Sequence, residues 1–189
     1  MMDLYFLRHT TVAIDNDVCY GQTEIPVASS FLQEASDTMK LVPDKQHAVY
    51  FSSPTRRCIQ LAEFISKRPA MQDPRLADLN FGSWERKKWS EIDEQELDSW
   101  MNDVIYQKPP DGESYEQMML RVKDFFEEVI TKNYKTVVIS THASIVRAIL
   151  SYVLEIPYQR TFDMQIAFGS ITKISVDGQS ITVEYINRV

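Results

Sequence analysis

Two dipeptides carry much of the chemistry this sequence can offer, Arg8-His9 and Thr141-His142. Each closes a short apolar run, residues 4–7 and 136–140, that reads as buried strand. A third run, 48–52, ends at Ser52-Ser53-Pro54-Thr55-Arg56-Arg57. The chain has three histidines, and two of them fall at the ends of expected strands. In open α/β sheets, sites form at the carboxyl ends of strands. Two Arg and two His gathered there would make a cationic pocket suited to a phosphoryl group. Arginine offers phosphate a planar fork of donors and stays charged at any working pH. A neutral imidazole is a competent nucleophile toward phosphorus and splits one hard displacement into two easier ones. Charge on the equatorial oxygens would be neutralised by the surround. No metal-ligand set is evident, so Arg and His⁺ are expected to fill a metal's place, and no cofactor is expected. The leaving oxygen needs a proton. Asp78 and Glu85, in the stretch Leu76-Ala77-Asp78-Leu79-Asn80-Phe81-Gly82-Ser83-Trp84-Glu85, are candidate general acids, with Glu113 a third.

The elements that must position these groups are also readable. Residues 10–28 contain Asp15-Asn16-Asp17, Gly21 and Pro26 and read as a long loop. Ser30 with Gln33 forms the pattern of a capping box, opening a helix to about Leu41. Ser53 as N-cap and Pro54 at the first helical position predict a second helix, with an apolar stripe at Cys58, Leu61, Ala62 and Ile65. Ser114 with Gln117 caps a third, carrying Met118, Val122, Phe125, Phe126 and Val129. A further apolar helix is expected over about 144–154. Residues 171–176 and 181–186 alternate around Asp177-Gly178 and read as a hairpin. Strands separated by helices predict a three-layer α/β/α fold with a largely parallel central sheet. One domain over 1–189 is expected, with a helical insertion at about 84–132. His47 in a polar loop, Arg56, and the run Arg86-Lys87-Lys88 read as solvated, and Cys58 as a small buried residue. Trp84, Trp89, Trp100 and Phe81 could line a pocket or pack beneath the insertion.

The 189 residues, 44% apolar and 25% charged, suit a soluble globular protein. The formal net charge of −7 repels nucleic acid and anionic membrane, and neither is an expected partner. Cys19 and Cys58 lie in no CxxC arrangement, which argues against zinc and disulfides and fits a reducing compartment. No basic n-region or membrane-length apolar run is present, so a cytoplasmic location is expected.

The sequence resembles the histidine phosphatase superfamily, which includes the cofactor-dependent phosphoglycerate mutases, over essentially the whole chain. Leu7-Arg8-His9-Thr10 resembles the Arg-His-Gly motif after strand one, and Ser52-Ser53-Pro54-Thr55-Arg56-Arg57 the Ser-Ser-Pro motif with Arg three residues after the proline. Asp78 before Gly82 stands where the family has Glu, and Thr141-His142-Ala143 resembles Ser-His-Gly. The resemblance implies that His9 becomes phosphorylated and that Arg8, Arg57 and His142 hold the phosphoryl group. It implies that Asp78 protonates the leaving group and then activates water. Thr10, Tyr20, Gly21, Gln22 and Ala143 are its implied substrate-binding residues. Thr10 and Ala143 replace usual glycines, and Asp78 is one methylene shorter than Glu. Cys19-Tyr20-Gly21-Gln22-Thr23-Glu24-Ile25-Pro26, with Gly112-Glu113-Ser114, is similar to α-ribazole phosphatases. These act on α-ribazole 5′-phosphate in cobalamin nucleotide-loop assembly. The expected partner is a small phosphorylated metabolite. A broad-specificity phosphatase, a phosphoglycerate-type mutase and a non-catalytic phospholigand-binding protein remain alternatives.

Overall fold

Leu4, Phe6, Val137 and Ile139 pack into one apolar cluster, while Tyr5, Leu7 and Val138 pack into another. These residues alternate along two neighbouring strands, so each strand buries both faces. That explains their near-continuous apolar sequence. The computed structural model, which describes residues 1–189, builds a six-stranded sheet on them. In chain order the elements are β1 (Met2–Arg8), α1 (Phe31–Leu41), β2 (Val49–Ser52), α2 (Arg56–Ser66) and β3 (Met71–Gln72). After these come α3 (Glu94–Asn102), α4 (Tyr115–Ile130), β4 (Thr136–Thr141), α5 (Ala143–Leu154), α6 (Tyr158–Thr161), β5 (Ile171–Asp177) and β6 (Ser180–Arg188). The strand order is β3-β2-β4-β1-β5-β6. Strands β3, β2, β4 and β1 run parallel, and β5 and β6 are antiparallel additions at one side. The larger cluster joins the sheet to α4 and α5 through Met118, Val122, Phe125, Ile145 and Ile149. The smaller joins it to α1 and α2 through Ala35, Leu61 and Ile65. Helices therefore cover both faces, and the fold is α/β with a mostly parallel sheet.

Two local expectations fail in detail. Ser30 does not cap α1: its hydroxyl donates to Glu34 Oε1 at 2.5 Å, and Gln33 donates to Asp37. The α2 helix begins at Arg56, two residues beyond the expected start, with Thr55 as N-cap. Ser53 is withdrawn from capping because its hydroxyl meets His142 Nε2 at 2.8 Å. The capping box at Ser114 and Gln117 forms on both sides. Strand β3 and the three 3₁₀ turns at Pro74–Leu76, Gly82–Trp84 and Trp89–Glu91 had no counterpart in the sequence reading. Trp84 is buried and Trp89 and Trp100 partly so, and they pack edge to face with Phe81 and each other.

Candidate active site

The register of β1 on β4 sets Arg8 opposite Thr141, and the His9 N–H donates to the Thr141 carbonyl at 2.9 Å. The two strand-end histidines are thus neighbours by main-chain pairing. Their ring centroids lie 5.2 Å apart. Arg57 enters from the first turn of α2, wholly buried. Its Nη1 donates to Thr23 O at 2.8 Å and its Nη2 to Gly21 O at 2.5 Å. Its Nη2 is also 3.4 Å from His142 Nδ1 and 4.0 Å from Asp78 Oδ2. Asp78 closes the group, its Oδ2 lying 3.3 Å from His142 Nδ1. Leu76 and Leu79, both fully buried, anchor the Asp78 segment on either side. Burying such a leucine stabilises by about 1.5–3 kcal/mol. Arg8, His9, Arg57, Asp78 and His142 are therefore brought together.

A hydrogen bond assigns the tautomer of His9. His9 Nδ1–H donates to Thr10 O at 2.8 Å, which leaves the lone pair on Nε2. His142 Nε2 shares a hydrogen bond with the Ser53 hydroxyl at 2.8 Å, and its Nδ1 faces both Arg57 Nη2 and Asp78 Oδ2. Burial holds the His9 pKa well below the ordinary histidine value, helped by His142, Arg57 and Arg8. Burial, then Arg57, Arg121 and Arg8, does the same to His142. Both rings are neutral near pH 7. The cationic pocket expected from two Arg and two His is thus carried by the arginines, and His⁺ is not part of it. The reason is that a buried imidazole beside a fixed guanidinium gives up its proton first.

This has a consequence for stability. Both histidines have folded pKa values below the unfolded one, so below about pH 6.5 the unfolded chain binds protons that the folded chain refuses. Stability contributed by the neutral rings is present above that pH and lost as pH falls. Urea denaturation at a series of pH values should show a loss of about 1.4 kcal/mol per pH unit for each imidazole over the acid range. In a His142→Asn variant the slope should be shallower by one such increment.

Three buried polar atoms here have no partner in the protein: Arg8 Nε, Thr10 Oγ1 and Arg57 Nε. All can donate, and a phosphoryl oxygen is the acceptor such a group suits. The remaining expected residues sit as follows. Tyr20 places its ring 5.6 Å from the Arg57 guanidinium carbon. Gly21 is a close-approach position: a Cβ there would fall 1.9 Å from Leu79 O. The Gln22 amide donates to Asp78 O at 2.9 Å and is committed to the protein. Ala143 is the first helical residue of α5, after His142 as N-cap. Neither alternative acid is free. Glu85 accepts from the Gln22, Thr23 and Phe81 N–H groups and from the Thr23 hydroxyl. Glu113 accepts from the Asn80 N–H and is held by both Nε and Nη2 of Arg121. His47 pairs with Asp44 at the surface, and Arg56 is exposed. Burial pushes the Cys58 thiol up to about 12, so it is unreactive beside His142.

Sequence reasoning missed three neighbours. Ser144 donates to Asp78 Oδ1. Arg121 donates to the carbonyls of Arg75, Ala77 and Asp78 and so holds the backbone that carries Asp78. Ser53 serves His142. Ser144, two residues past His142 in a helix's first turn, could have been found by its position; Arg121 offered no local signal.

The sequence pattern of the histidine phosphatase superfamily (branch 1) matches residues 4–189. The chain belongs to that superfamily. A relative from Hydrogenobacter thermophilus, named "Putative phosphoserine phosphatase 2", is 25% identical over all of this chain and 97% of its own. Among solved structures, the α-ribazole phosphatase from Shigella flexneri is similar at a TM-score of 0.89 and 20% identity, covering 98% of this chain and 96% of that one. A mycobacterial glucosyl-3-phosphoglycerate phosphatase is similar at a TM-score of 0.85 and 19% identity, covering 100% and 99%. At such identities the likeness to this histidine phosphatase is one of fold. No helix of the chain is long and apolar enough to cross a membrane.

Proposed function

We propose that this protein is a phosphomonoester hydrolase working through a phosphohistidine on His9. The observation that carries the reading is the tether of His9 Nδ1 to Thr10 O, which leaves Nε2 with its lone pair in a neutral, buried ring between two arginines. Nε2 attacks phosphorus as the bond to the leaving oxygen breaks. Arg8, Arg57 and Thr10 take up the charge of the phosphoryl oxygens, and His142 packs beside them. The proton for the leaving oxygen comes from Asp78 in its carboxyl form, carried on Oδ2, the more loosely held of its two oxygens. A water then attacks the phosphohistidine, returns a proton to Asp78 and releases phosphate.

For the substrate we infer α-ribazole 5′-phosphate. Support comes from the loop Cys19-Tyr20-Gly21-Gln22-Thr23-Glu24-Ile25-Pro26 and from Gly112-Glu113-Ser114, which pack together through Gln22, Asp78 and Glu113. The phosphoserine name of a relative makes phosphoserine the natural competitor. The test is phosphate release from α-ribazole 5′-phosphate, phosphoserine, 3-phosphoglycerate and glucosyl-3-phosphoglycerate, together with acid-quench trapping of the enzyme. The expected result is an acid-labile phosphoenzyme and a kcat/KM at least about tenfold higher for α-ribazole 5′-phosphate, a difference of about 1.4 kcal/mol. A faster phosphoserine reaction would overturn the substrate and keep the phosphatase. Phosphate binding with no phosphoenzyme and no turnover would overturn both.

A further inference from the structure

Arg8 is clamped on one face and at one end. Its guanidinium carbon stands 3.6 Å from the centroid of the Phe168 ring, and its Nη1 donates to Ile166 O at 2.5 Å. A guanidinium holds its donors in one rigid plane. Covering a face and tying Nη1 therefore fixes the direction of the remaining edge, where Nε is buried and without a partner. The same ring lies 5.5 Å from the His9 ring. One side chain thus touches both residues at the end of β1.

Phe168 is itself held. The Gly169 N–H donates to both Arg8 O and His9 O at 3.2 Å, and the Arg8 N–H donates to Ser170 O at 3.1 Å. Residues 166–170 fold back over the strand end, with Gly169 at a φ of +70°. Thr38 donates to Gly169 O at 2.8 Å, and the Ala167 N–H donates to Asn187 Oδ1 at 2.6 Å. The strap is therefore pinned from α1 and from the edge strand β6.

We propose that Phe168 is a positioning residue, whose ring holds the Arg8 guanidinium edge-on to the phosphoryl site. This rests on the reading of His9 and Arg8 as phosphoryl-handling groups. The experiment places Phe168→Leu and Phe168→Tyr in the wild-type and Arg8→Ala backgrounds. It measures kcat and KM for phosphate release and orthophosphate affinity by calorimetry. Phe168→Leu should cost about tenfold in kcat/KM and in orthophosphate affinity, on the scale of a desolvated cation–π contact, with the thermal midpoint held. Phe168→Tyr should restore both. In the Arg8→Ala background Phe168→Leu should change neither by more than about twofold, because coupled residues are non-additive. Equal losses in the two backgrounds, or no rescue by tyrosine, would overturn the proposal. Should the leucine variant not fold, Phe168→Met, which fills the space without a π face, takes its place in the cycle. Failure of His9 to form a phosphoenzyme would remove the catalytic reading alone. The orthophosphate arm would still decide whether Phe168 acts through Arg8.

Discussion

His9→Ala should fold and release phosphate at a rate lower by about 10⁴-fold or more, the scale on which loss of a catalytic nucleophile is felt. The fold should survive because the His9 main chain, not its ring, carries the pairing with Thr141 and Gly169. The lost ring removes contacts with His142 and Phe168 and frees Thr10 O, a cost of about 1–3 kcal/mol. The decisive pair of measurements is phosphate release and the thermal unfolding midpoint. A folded His9→Ala protein with unimpaired turnover would end the phosphohistidine mechanism. Orthophosphate affinity should change far less than turnover, because the arginines that bind it remain.

Arg57→Ala is expected to damage both activity and stability. Its guanidinium satisfies the carbonyls of Gly21 and Thr23 and stands beside His142 and Asp78. Loss of a preorganised donor to developing charge costs about 10²–10³ in kcat. The abandoned carbonyls add about 1–3 kcal/mol each to the stability cost. Arg57→Lys separates the two effects. A lysine keeps the charge, but a point ammonium cannot serve two carbonyls and also present a free edge to phosphate. Its stability should lie between wild type and alanine, while kcat/KM stays down by about 10²-fold. Arg56→Ala, one residue earlier and exposed, should leave kcat/KM within about twofold, as surface changes usually do. Full activity in Arg57→Lys would mean that charge alone matters here.

The parallel core of the sheet and the meeting of Arg8-His9 with Thr141-His142 were legible because they rest on periodicity and on strand ends. Apolar runs buried on both faces leave a near-continuous apolar pattern. Failures came where one side chain had two possible partners. Ser53 is a good N-cap by type, yet it serves His142; Ser30 likewise turns to Glu34. Local rules cannot see a partner 89 residues away. The pKa of His142 is lowered by its complete burial beside Arg57, which composition does not reveal. Glu85 and Glu113 looked like acids until their backbone donors were visible. Phe168 and Arg121 act through contacts with no signature in spacing.

Strand β1 pairs with residues 136–141 on one side and 171–176 on the other. None of its sheet partners exists until synthesis has passed residue 135. Such long-range pairing is slow, because loop-closure entropy must be overcome before any contact repays it. His9 and His142 therefore cannot become neighbours before residues 136–142 have been made. A nascent chain that ends before β4 has no phosphoryl pocket, because His142 and the strand that aligns it with His9 are missing. Recovery of activity on refolding thus reports the docking of β1 on β4.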